Sequence, residues 1–213
     1  MDKNKINFIK IYDGDIVYSG ANQYWATNKF HALSGCGPTT ASEILAYLSV
    51  TYPLSCASLT QDMKIPLKKE TFKDYITQVR AYVKPSINGL TDINFYQNQL
   101  LAFAKTKQVE LSSNQISSEL TADEAFEEIV NVIDHGLPLA LLILKNPHKD
   151  IDPYTWHWMT VIGYDIPKKR LRIATHGREH ELDFVHVWCQ MSTCYSGLIY
   201  FWPKEGFEWS MSI

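Results

Sequence analysis

The chain has 213 residues, 46% hydrophobic and 20% charged, with a formal net charge of −3. Such a composition describes an ordinary globular protein long enough to bury a substantial core, and it predicts one domain over 1–213. The slight acidity, without any basic run, excludes nucleic acid as an expected partner, and apolar runs such as PLALLIL (138–144) are too short to span a bilayer, so no membrane association is expected.

From the amino terminus, MDKNKINFIKIYDGD lacks the apolar segment and small-residue cleavage site of a secretory leader, which makes a cytoplasmic location the expectation. INFIKIY (6–12) alternates as a strand, DGD turns, and IVYS (16–19) pairs back as a hairpin. A polar loop with interspersed aromatics, GANQYWATNKFHALSG, then leads to Cys36. From Pro38, which suits a first helical turn, Ala41, Ile44, Leu45 and Leu48 recur at helical spacing up to the break at Tyr52-Pro53. This helix should be largely buried, its polar residues being few and small.

Three further helices are expected over 68–83, 92–108 and 121–136. Asp92 is the cap of the second, and Thr121 with a carboxylate three residues on opens the third as a capping box. After Gly136 the pattern changes to strands, at 138–145, 156–166, 171–175 and 197–202. A helical half (about 36–136) followed by a mainly antiparallel sheet half (about 137–213) is an α+β fold.

Four cysteines, Cys36, Cys56, Cys189 and Cys194, do not make a disulfide scaffold in a chain this long; they read as free thiols in a reducing compartment. Cys36 stands between Gly35 and Gly37 at the mouth of the first long helix. In isolation that is equally a small buried residue at a tight helix entry. A nucleophilic role needs the thiolate, which a helix N-terminus favours and a nearby imidazole produces by taking the proton. Of seven histidines, His157 opens the most strand-like segment, between Trp156 and Trp158. One of those two tryptophans is available to wall a cleft, although core packing serves either of them equally. His31, five residues before Cys36, is the alternative base.

The blocks SGCGPTTASEILAYL, GLPLALLIL and HWMTVIGYDIPKKRLRIATHG together resemble the papain-like cysteine peptidase superfamily. Within it they resemble the bacterial bacteriocin-processing (double-glycine) peptidases and their stand-alone relatives. The resemblance implies a papain-like fold, a nucleophilic Cys36 and a basic His157. It places Thr175 where an Asn or Asp normally orients the imidazole; Asp165 could substitute only if its strand bends back. Phe30 occupies the usual position of the oxyanion-hole glutamine, so Gln23, further upstream in ANQYW, takes that role if the intervening loop is longer, with Asn22 and Asn28 as alternatives.

The expected function is peptide or amide hydrolysis by thiol-dependent acyl transfer, acting on a peptide or protein substrate with no cofactor. The same dyad would also serve an amidase or acyltransferase, and an impaired relative would bind peptide without cutting it. A zinc module built from His176, His180, His186, Cys189 and Cys194 is the remaining alternative, but their spacing contains neither C-x2-C nor H-E-x-x-H, so no metal is expected.

Overall fold

The computed structural model describes residues 4–60, 63–189 and 191–209; the ends of the expected domain, 1–3 and 210–213, lie outside the described residues. The hairpin forms as expected, with β1 (Lys10–Asp13) antiparallel to β2 (Ile16–Ser19). Gly14, at φ 58°, supplies the left-handed residue of its two-residue loop. A 3-10 turn at Gln23–Trp25 and the short helix α1 (Lys29–Leu33) follow, each capped by an asparagine side chain, Asn22 and Asn28.

Helix α2 (Cys36–Thr51) begins at the cysteine itself, two residues before Pro38, and every residue from Gly37 to Ser49 is buried. Ile44, Leu45 and Leu48 keep no exposed surface, and each such burial contributes roughly 1.5–3 kcal/mol. The expectation that its polar residues are only small fails at Glu43, a carboxylate buried in mid-helix. Tyr52 and Pro53 end the helix where expected, and α3 (Pro53–Cys56) turns away. β3 (Leu67–Lys68) joins β1 in parallel, completing a small sheet of order β2-β1-β3.

Helices α4 (Lys69–Arg80) and α5 (Ile93–Thr106) come next, the latter capped by Asp92, whose side chain accepts from the Asn94 and Phe95 amides. β4 (Leu111–Gln115) then interrupts the half expected to be helical. LSSNQ has little strand character of its own; its pairing with β9 imposes the extended form. Helix α6 (Ala122–Asp134) carries the complete capping box, Thr121 with Glu124.

The remaining elements are β5 (Leu139–Lys145), β6 (His157–Asp165), β7 (Arg170–Thr175), β8 (Arg178–Asp183), α7 (Phe184–Val187) and β9 (Tyr195–Pro203). With β4 they form a six-stranded sheet of order β4-β9-β5-β6-β7-β8, every neighbouring pair antiparallel. The fold is thus α+β, with seven α-helices among the described residues, and is compatible with a papain-like architecture. Helix α2 lies against β6: the Thr160 hydroxyl donates to Glu43, and a Cβ on Gly37 would stand 2.7 Å from Leu90 and 3.5 Å from Trp158. One hydrophobic core runs through helices and sheet together.

The four cysteines are not all the free thiols expected from the sequence. Cys189 and Cys194 are joined in a disulfide, leaving Cys36 and Cys56 as the free thiols. The inference of a reducing compartment from four free thiols therefore loses its basis. No helix among the described residues is long and apolar enough to cross a membrane.

Candidate active site

Cys36 is the first residue of α2, with Gly35 as a cap that offers no side-chain hydrogen bond, so the helix start keeps N–H groups for another acceptor. Of the two flanking glycines, Gly35 is the one required by space. A Cβ on Gly35 would meet the His31 carbonyl oxygen at 2.6 Å and the Gln23 Cβ at 3.1 Å. Cys36 stays partly exposed, whereas Cys56 is fully buried. Burial pushes the Cys36 thiol above its ordinary range. The backbone N–H groups of Trp158, Gly37 and Cys36 itself, and then the Arg80 guanidinium, act in the opposite direction.

His157 opens β6, and the antiparallel neighbour β7 ends on Thr175, which brings the two side chains together. His157 Nε2 and Thr175 Oγ1 are 2.7 Å apart. The imidazole is buried, and desolvation, followed by the neighbouring His176 ring, pushes it down to about 3. At neutral pH both the thiol and the imidazole are therefore uncharged. Gln23, Cys36, Glu43, His157, Thr175 and His176 line one narrow cavity of about 10 Å³, on the scale of a single water.

Gln23 thus reaches the site despite lying upstream of the usual position. Its Nε2 donates one hydrogen to the Ala32 carbonyl at 2.8 Å, and its second N–H has no partner among the described residues. The alternatives are otherwise engaged, since Asn22 and Asn28 spend their side chains as caps and Phe30 is exposed. Asp165, at the far end of β6, pairs with Lys168 and does not approach His157. His31 lines a separate, larger cavity of about 210 Å³ beside Gly35, on a wall that Gln23 shares with the first. Trp158 is buried, donating to the Leu90 carbonyl and stacking on Tyr96, while Trp156 precedes the strand and is exposed.

Three neighbours were not assigned to this site from the sequence. His176, in the tight turn after β7 with φ 51°, stacks between Tyr24 and His157, and its Nε2 is buried without a hydrogen-bond partner. Arg80 is a buried cation held by Ser34, its Nη2 donating to Oγ at 2.8 Å, and it has no carboxylate partner among the described residues. Glu43 accepts from the Ala21 amide at 2.6 Å and from Thr160, tying the segment before Gln23 to α2 and β6. Burial pushes its carboxyl up to about 7, against the pull of those two hydrogen bonds. Glu43 left a trace in the sequence, as the one acidic residue in an otherwise small and apolar helix, and His176 stood out only as a member of the zinc alternative.

A family model, described as Peptidase_C39 like family, matches residues 18–195 and so covers most of the chain. The chain belongs to that family. Membership makes it a relative of papain-like cysteine peptidases of the C39 type, in agreement with the resemblance carried by SGCGPTT and HWMTVIGYD. A search of curated proteins finds no match. The matched range of this C39-like protein contains Gln23, Cys36, His157 and Thr175. The five-residue zinc alternative is dispersed by the fold: Cys189 and Cys194 bond each other, His176 stacks on His157, and His180 packs against Tyr154.

Proposed function

We propose that this C39-like protein is a single-domain cysteine hydrolase of peptide or amide bonds, with Cys36 as nucleophile and His157 as its base. The observation that carries the reading is the convergence of Cys36, His157, Thr175 and Gln23 on one cavity at the start of α2. If the Thr175 hydroxyl accepts from Nε2–H, the Nδ1 lone pair is the one left to take the thiol proton. Transfer of that proton creates a thiolate and an imidazolium side by side, and their mutual attraction offsets the burial that disfavours each alone. The thiolate attacks the scissile carbonyl. Backbone N–H at the start of α2 and the second Gln23 N–H support the oxyanion, and His157 returns its proton to the leaving amine. Water, deprotonated by His157, then cleaves the thioester to release the acid and regenerate Cys36.

The uncharged resting pair favours a second reading, a peptide-binding protein in which the dyad no longer ionises. The two are separated by incubating the protein with a diverse peptide library and sequencing new termini by mass spectrometry. Hydrolysis predicts new termini that vanish in both Cys36→Ala and His157→Ala. Peptide retention without any new terminus would establish the binding reading instead.

A further inference from the structure

We propose that His148, Asp150 and His186 form a binding site for one divalent transition-metal ion of the zinc class, away from the Cys36 cavity. The three residues come from segments distant in sequence, the β5–β6 connection and helix α7, and one ligand atom from each lies within 4.8 Å of the others. The His148 and His186 rings are parallel, 6° apart in plane and 4.0 Å between centroids. His186 Nδ1 stands 2.9 and 3.1 Å from the two Asp150 oxygens. Two donors that share a zinc ion at about 2.0–2.1 Å each must sit at about that separation, roughly 2.9–3.4 Å. The pair is therefore already at ligand spacing, bridged by a ring proton that an ion would replace.

The backbone that carries these donors is fixed independently of them. The Asn146 amide donates to the His186 carbonyl at 2.8 Å, and its oxygen accepts from the His148 N–H at 2.9 Å. The His148 carbonyl in turn accepts from the Ile151 and Asp152 amides at 3.0 and 3.1 Å. Two imidazoles and one carboxylate suit zinc, cobalt, nickel or copper better than magnesium or calcium, which favour all-oxygen shells. Both histidines are partly exposed and Asp150 is exposed, so an ion can enter and water can complete its coordination. A bound ion would fasten the β5–β6 connection, whose far end is His157, to α7.

The test is calorimetric titration of metal-free protein with zinc chloride and with cobalt chloride, in a Cys36→Ser background so that the thiol contributes nothing. The expected result is one ion per chain at micromolar affinity, with a raised Tm and a cobalt spectrum free of sulfur-to-metal charge transfer. His148→Ala and His186→Ala should each weaken binding at least roughly tenfold, and Asp150→Asn should weaken it too. Circular dichroism of the metal-free variants checks that they remain folded. Zinc affinity unchanged in the His148→Ala/His186→Ala double variant, or no uptake up to about millimolar zinc, would overturn the proposal.

Discussion

Thr175 differs chemically from the amide or carboxylate that the family resemblance leads one to expect beside the histidine. A hydroxyl 2.7 Å from Nε2 can align the ring, but it carries no charge with which to stabilise an imidazolium. Removing it should cost what one neutral hydrogen bond contributes. Thr175→Val is expected to lower kcat about tenfold with KM little changed; an unaltered kcat in steady-state kinetics would mean that the hydroxyl does not hold the ring. Glu43 gives a second test, in stability. Its carboxyl ionises at about 7 in the folded protein against an ordinary 4.5, so the folded state retains a proton that the unfolded chain releases in between. The associated stability is complete below 4.5 and is lost as pH rises through 7. Glu43→Gln keeps a neutral group with both hydrogen-bonding capacities. The wild type should therefore lose ~3 kcal/mol relative to this variant between pH 4.5 and pH 7, measured by denaturant unfolding. A difference that stays constant across that window would place the Glu43 pKa elsewhere.

Among the elements, those whose signals are local were legible in the sequence. Helix α2 announced itself by Pro38 and its apolar spacing, α5 by Asp92, α6 by the Thr121–Glu124 box, and β5 and β6 by continuous apolar runs. β4 was not legible, whereas β8 falls in EHELDFVHVW, which looks like strand, although the Phe184–Val187 part of that stretch is the helix α7. LSSNQ is extended because β9 pairs with it, and REHELD is a charged edge strand whose polar residues protect an open sheet margin. The site divides the same way. Cys36 and His157 sit at element starts that the sequence marks, whereas Arg80, on α4, reaches the site only through tertiary packing. Gly35 shows how tightly the elements close on the site, since a methyl group there would strike the His31 backbone and the root of Gln23. Gly35→Ala should thus destabilise the fold by about 1–3 kcal/mol and lower kcat/KM by displacing Gln23. Thermal melting and kinetics together check this, and a variant unchanged in both would show that α1 yields without consequence.

At the scale of the molecule, the amino-terminal segment fastens helices to sheet. Glu179 on β8 binds Lys5, Lys10 and Ser19, whose combined pull outweighs partial burial and holds its carboxyl down to about 2. That contact keeps the β1–β2 hairpin on the edge of the main sheet, and Gln23 follows the hairpin directly. The enzyme reading rests finally on whether His157 activates Cys36. Cys56 is fully buried and Cys189 is bonded to Cys194, so alkylation of the folded protein by iodoacetamide reports on Cys36 alone. The decisive measurement is the rate of that alkylation against pH in the wild type and in His157→Ala. Reaction is expected at neutral pH, at least about tenfold slower in the variant, with the wild-type acid limb well below 6.5 because His157 is held to about 3. Equal rates in the two proteins at every pH would contradict the enzyme reading.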